Sequence, residues 1–301
     1  GPAPYWPAFP DIVRVNDGTP VIVDWGIEQG FKLTPAALQA AITPRTRWLV
    51  LNTPGNPSGA VYSREELAAL AQVLRQHPQV LVLLDELYEH IWFTPQAPAH
   101  WLAVAPDLRE RTLLVNGVSK TYAMTGWRIG WGAGPAALVQ AMVVIQSQAS
   151  SGPNSVAQAA ATAALQSPDQ SFVQQARNAY ARRAQRVTQA LAQVPGLALL
   201  PPGGSFFAFV HCGALIGHLR PDGQPIASDT DLTEWLLESE GVAAVDGGAY
   251  GLSPYFRIST AASDEVLAEA TARIARAVAA LKDPAAQAQA HAQPAALEAV
   301  P

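Results

Sequence analysis

The sequence predicts an α/β protein: a large domain built on a mostly parallel sheet with helices on both faces, followed by a smaller α+β domain. Two observations carry this. Val80 to Leu84 and Leu113 to Val115 are apolar without alternation, as in strands buried on both faces, and helical patterns separate such runs. After Pro195 and Gly196 the pattern changes to short strands and helices, which marks a second unit.

The elements follow in order. Gly1 to Pro7, rich in proline and aromatics and without an initiator Met, reads as a loop leaving a strand, so upstream sequence is expected. Thr19 to Asp24 predicts a strand, and Thr34 caps a helix running to Ala41. Thr46 to Asn52 is the next strand, and the turn formers Thr53 to Gly59 make a site-building loop at its carboxyl end. Ser63 and Glu66 form a capping box for a helix to about Gln76. Asn56, Asp85 and Lys120 each sit just past a strand end, where ligands bind in open α/β sheets. Pro135 to Leu165 is helical with a break at Ser150 to Ser155, and Phe172 to Val194 is one long helix with Arg177, Arg182, Arg183 and Arg186 on solvated faces. Strands are expected at 197–200, 205–210, 242–245 and 255–259, and helices at 231–239 and 263–281. The domains run 1–171, the large one, and 172–283, the long helix and small domain; 284–301, Ala, Gln and Pro with little to pack, is expected to be a disordered tail.

The chain has 301 residues, 49% hydrophobic and 14% charged, enough to bury a sizeable core. A net charge of −5 without a basic block argues against a nucleic-acid surface. Cys212 is the only cysteine, so neither a disulfide nor a thiolate metal cluster can form within one chain. With no secretory signal and no apolar run of spanning length, a soluble cytoplasmic protein without membrane contact is expected.

The chemistry centres on the stretch from Val115 to Gly130. A lysine in an apolar site has a lowered pKa, and its free amine can condense with an aldehyde; Arg128 can fork two hydrogen bonds onto a phosphate. Taken singly, these residues are equally compatible with surface charges.

Six ordered motifs settle the resemblance: APYW (3–6), NTPGNPSGAVYS (52–63), DELYEH (85–90), NGVSKTYAMTGWRIGW (116–131), PPGGSFF (201–207) and YGLSPYFRIS (250–259). Together they resemble the class I aminotransferases, fold type I of the pyridoxal-phosphate enzymes, and most of all the bacterial aspartate and aromatic branch. The resemblance implies a homodimer that moves the amino group of an L-amino acid, aspartate first, to a 2-oxo acid such as 2-oxoglutarate. It also implies pyridoxal 5'-phosphate as cofactor, Lys120 as the catalytic lysine, and Asp85 as the partner of the pyridine nitrogen. Glu86 competes for that last role, but the motif places it on the first acid. Tyr88 and Asn56 are implied to contact the cofactor's phenolic oxygen, with a cis peptide between Asn56 and Pro57. Trp6 is implied to stack on the ring, Arg128 to bind the phosphate, and Arg257, with Asn56, to hold the substrate carboxylate.

Each position has a plainer alternative: a helix cap for Asp85, a packed aromatic for Tyr88, an Asn-Pro turn for Asn56, a core tryptophan for Trp6 and a structural ion pair for Arg257. Ser119 is a further phosphate candidate, while the serine that some relatives carry three positions before the lysine is Gly117 here. The resemblance places a glycine-rich phosphate loop, a tyrosine from the neighbouring subunit and the first strands before Gly1, so an incomplete amino-terminal part of the fold is expected. No Arg or Lys lies between Ser150 and Asn154 to read an aspartate side chain. Other possibilities are a C–S lyase of the same fold type, a regulator that kept the fold, and an inert fragment.

Overall fold

Local chemistry starts many of the elements of the computed structural model, which describes residues 1–284; the expected tail, apart from its first residue, lies outside them. Strand β1 (Pro2–Ala3) leads to helix α1 (Ala8–Val15), where Pro10 sits in the first turn and its missing N–H is not needed. β2 (Val23–Asp24) pairs parallel with β1. The strand expected from Thr19 is thus cut to two residues, because the ladder extends no further than its short partner. α2 (Pro35–Ala41) is capped by Thr34, whose Oγ1 accepts from the Ala37 N–H at 3.3 Å. β3 (Trp48–Asn52) is followed by α3 (Arg64–Arg75). There the Ser63 hydroxyl accepts from the Glu66 N–H at 3.2 Å and the Glu66 carboxylate accepts from the Ser63 N–H at 2.7 Å.

β4 (Leu81–Asp85), α4 (Trp101–Val104), β5 (Thr112–Gly117), α5 (Val118–Thr121) and β6 (Gly130–Ala133) complete the first sheet region. The sheet order is β3-β4-β5-β6, with β3, β4 and β5 parallel and β6 antiparallel to β5. On one face Leu49, Leu51, Val82 and Leu84 pack against Leu67, Leu70 and Leu74 of α3 and Trp101 of α4. On the other face Val50, Leu81 and Leu83 are half-buried. There α6 (Ala136–Ser150) approaches the β6 edge: a Cβ placed on Gly132 would lie 3.0 Å from Met142 Cε. Helices therefore reach both faces, but unequally.

α6 contains no buried residue, and Val144 and Ile145 are 54% and 69% exposed. From Ile129 to Pro168, through α7 (Ser155–Gln166), the sequence carries no charged side chain. α8 (Ser171–Leu191) then leads to the second sheet. Its arginines are not all simply solvated. Arg183 and Arg186 pair with Asp264 at 2.9 and 3.1 Å, and the Arg177 guanidinium lies 4.0 Å from the centre of the Trp92 ring. Being long, α8 packs against neighbours along its length, and these side chains serve those contacts.

β7 (Ala198–Leu199), β8 (Phe207–His211), α9 (Asp229–Glu240), β9 (Val245–Asp246), β10 (Tyr255–Ser259) and α10 (Asp264–Ala279) follow. The strands form an antiparallel sheet in the order β7-β8-β10-β9. Val187, Leu191, Val210, Leu232, Leu236, Phe256 and Ile274 form its own core. The strand expected at 242–245 begins only at its last residue. Gly241, at a φ of 66°, ends α9, and the Val242 N–H is used by the Leu236 carbonyl at 3.1 Å rather than by a ladder.

The two sheets meet where Pro201 to Ser205 crosses the loop after β3. The Gly59 carbonyl accepts from the Gly203 and Gly204 N–H groups at 2.9 and 3.0 Å, and the Ser205 N–H donates to the Ile91 carbonyl at 2.8 Å. Among the described residues no helix is long and apolar enough to cross a membrane.

Candidate active site

The carboxyl ends of β3, β4 and β5 lie side by side, with Asn52 paired to Asp85 and Asp85 to Val115. Asn52 braces this edge. Its Nδ2 donates to the Asp85 carbonyl at 3.0 Å and its Oδ1 accepts from the Asn56 N–H at 2.7 Å. Asn56 is thereby held at 9% exposure, and its peptide to Pro57 is cis, as the motif implied.

Asp85 is the last residue of β4. Burial pushes its carboxyl up to about 6, against the opposing pull of the Leu87 N–H and the Lys120 charge. Its Oδ1 accepts that N–H at 3.1 Å, the local turn-capping role that the sequence left open. Tyr88 is 4% exposed, packed edge-on against Phe206 and Phe207 with ring centroids 5.4 and 6.0 Å away. Burial raises its phenol, the Asp85 charge adds to the rise, and Arg257 opposes it.

Lys120 sits in α5, the single turn directly after β5. The lead-in needs glycine, because a Cβ on Gly117 would come within 2.8 Å of the Ile129 carbonyl oxygen. Burial lowers the Lys120 amine, the positive charges of Arg128 and Arg257 lower it further, and Asp85 resists. One ammonium thus feels the charge of three of the predicted site residues. Arg128, at a φ of 57°, donates from Nη1 to the Thr125 carbonyl at 2.9 Å and lines an open cleft with Gly126, Gln146, Ser150 and Asn154. Ser119 is buried at 9% exposure in the turn that carries Lys120.

Arg257, at the centre of β10, comes from the second sheet. Its Nη1 donates to Asn56 Oδ1 at 3.0 Å, and its guanidinium lies 4.3 Å from the Phe207 ring centre and 4.9 Å from that of Tyr250. Its Nε is buried without a partner, and no described carboxylate lies within ion-pair distance. The structural ion pair left open by the sequence is therefore not made among the described residues. A half-buried guanidinium with an unspent donor is a site for an anion from outside.

The structure brings Asn56, Asp85, Tyr88, Lys120 and Arg257 into mutual contact or electrostatic reach. It leaves Trp6 apart: 43% exposed, its ring packs edge-on against Phe9 at 5.3 Å. Neighbouring Tyr5 does reach the site wall, its N–H donating to the Tyr250 carbonyl at 3.1 Å. Sequence reasoning did not single out Tyr250 and Phe207, which flank Arg257. Both lie inside quoted motifs, and an arginine in an apolar strand needs such flat neighbours.

Known proteins resemble this chain over most of its length. The profile of the family "Aminotransferase class I and II" matches residues 1–274. The chain is 48% identical over 276 residues to an aspartate aminotransferase of Rhizobium meliloti, covering 92% of this chain and 67% of that protein. It is 50% identical over 273 residues to an aspartate/prephenate aminotransferase of Cereibacter sphaeroides, covering 91% and 68%. The crystal structure of the Rhizobium meliloti aspartate aminotransferase superposes with a TM-score of 0.90 at 47% identity, over 93% of this chain and 70% of that one. The Thermus thermophilus aspartate aminotransferase with maleate gives 0.83 at 36% identity, over 92% and 68%. With the family profile spanning residues 1–274 and relatives of this identity over nine-tenths of its length, the chain belongs to the class I and II aminotransferase family, on its aspartate branch.

Proposed function

We propose that the protein transfers the amino group of L-aspartate to a 2-oxo acid, 2-oxoglutarate being the first candidate, with pyridoxal 5'-phosphate held at Lys120. The observation that carries this reading is Arg257, half-buried, flanked by two aromatic rings and without a described carboxylate partner. The residues present fit the cofactor. Asp85, raised by burial, would be relieved by a protonated ring nitrogen; Tyr88 and Asn56 would hold the phenolic oxygen; Arg128 and Ser119 would hold the phosphate. Trp6 would have to turn from Phe9 to cover the ring. When bound, the cofactor supplies an aldehyde to capture the substrate amine and an electron sink for the charge left at Cα.

The side chains do the rest. Arg257 orients the substrate by its carboxylate, exchanging its bond to Asn56 for a two-pronged grip. Lys120 Nζ, lowered by burial and by its positive neighbours, is free to take the Cα proton and return it. Tyr88, Phe206 and Phe207 wall that side of the site with packed rings that exclude water. We also propose a homodimer in which the charge-free, exposed face of α6 is covered by a second copy.

Adding pyridoxal phosphate to the chain is expected to shift the cofactor's absorbance away from that of the free aldehyde, a shift that Lys120→Ala abolishes, and aspartate with 2-oxoglutarate to yield glutamate. A shift that persists unchanged in Lys120→Ala, or no glutamate from a chain that binds the cofactor, overturns this reading.

A further inference from the structure

Beside the proposed site lies a buried carboxylate that the chemistry above does not use. Glu86 follows β4 directly, its N–H still bonded to the Val115 carbonyl at 2.9 Å, and alternation along the strand sends its side chain away from Asp85, toward α4. It is 5% exposed, and its Oε2 lies 3.2 Å from His100 Nε2. His100 is the N-cap of α4, where its Nδ1 accepts from the Leu102 N–H at 3.3 Å. That bond needs the lone pair of Nδ1, so the ring proton belongs on Nε2, facing Glu86. The contact is off the line of a hydrogen bond, so Glu86 Oε2 is left without a hydrogen-bond partner among the described residues and His100 Nε2 is its near polar neighbour. Burial pushes the Glu86 carboxyl up, His100 pulls it down, and Glu89 and Asp85 push it up again; these are the titratable groups that face it.

The pair closes the base of a loop, residues 87–99, that reaches both halves of the site. Tyr88 stands on it, the Ile91 carbonyl accepts from Ser205, and the Phe93 N–H donates to the Gly203 carbonyl at 2.7 Å. The far side of the first turn has its own hold, Asn116 Nδ2 donating to Glu89 Oε1 at 2.7 Å. Loss of Glu86 would therefore pivot the turn rather than release it.

We propose that Glu86 is a positioning residue: joined to His100 across the base of the 87–99 loop, it fixes the direction in which Asp85 and Tyr88 face Lys120. This rests on the proposed function. The test uses the full chain loaded with pyridoxal phosphate, read by its dissociation constant and by visible circular dichroism, which senses cofactor orientation. Loss of a polar contact worth at most one hydrogen bond corresponds to about a five- to ten-fold weakening, expected in Glu86→Ala together with a changed visible dichroism. Glu86→Gln, whose amide oxygen still faces His100 Nε2, should restore both. His100→Asn keeps a capping side chain for α4 but shortens the reach to Glu86, so it should reproduce Glu86→Ala and carries the test should Glu86→Ala fail to fold. A lowered melting temperature with unchanged affinity and dichroism in His100→Asn overturns the proposal and leaves only packing. A wild-type chain that binds no pyridoxal phosphate overturns the proposed function and this role together, whereas a normal wild type beside unaltered variants overturns this role only.

Discussion

Arg257 and Asp85 are out of balance in opposite senses, one a cation with an unspent donor and the other a carboxyl that burial holds near neutrality. For Arg257 the fork matters as much as the charge. Arg257→Lys keeps the cation and loses the planar pair of donors, so kcat/KM for aspartate is expected to fall about 10- to 100-fold, with cofactor binding retained. Steady-state kinetics beside the cofactor's dissociation constant check it. For Asp85 the sign follows from linkage. Its folded value, about 6, lies above its ordinary 3.8, so the native chain takes up the proton first as pH falls, and this group's destabilisation is fully present only above pH 6. Asp85→Asn should therefore stabilise the cofactor-free chain at pH 7.5, by at most roughly 3 kcal/mol at about 1.4 kcal/mol per pH unit, and by little near pH 4. Urea melts at the two pH values measure it; an equal effect at both would remove burial of the charge as the cause.

Among the elements, the crossing of Pro201 to Ser205 over the loop after β3 leaves little room. A Cβ on Gly204 would lie 2.6 Å from the Ile91 carbonyl oxygen and 2.7 Å from Pro54 Cβ, so Gly204→Ala should cost about 2–4 kcal/mol in thermal or urea melts. Removing the cap of α3 by Ser63→Ala should cost only about 1 kcal/mol, since the two bonds its hydroxyl makes, from the Glu66 N–H and to the Glu65 carboxylate, are both exposed. The contrast shows what sequence could reveal. Ser63 with Glu66, and the cap Thr34, are signals within a few residues, and both helices start where those signals place them. β6 and α1 gave no such signal, because glycines thin the first and three prolines around the second mask its pattern. The lysine, carboxylate and arginine were legible from motifs, but the Tyr250 and Phe207 walls and the Glu86–His100 pair depend on contacts between distant segments that no local pattern encodes.

At the scale of the described molecule, the two four-stranded sheets keep separate cores, and α6 presents an exposed face without charge. If that surface is the self-association face, Ile145→Glu introduces a charge into it and should shift sedimentation velocity from dimer toward monomer at micromolar concentrations, with circular dichroism unchanged. An unaltered sedimentation profile would remove α6 from the contact. The bond from Arg257 to Asn56 spans 201 positions of sequence. During synthesis the chain emerges from its amino end, so Asn56, Asp85 and Lys120 leave the ribosome long before Arg257. A nascent chain halted after β8 would hold the Lys120 amine and the Asp85 carboxyl without the guanidinium, which takes its place between the Phe207 and Tyr250 rings only when one of the last strands has been made.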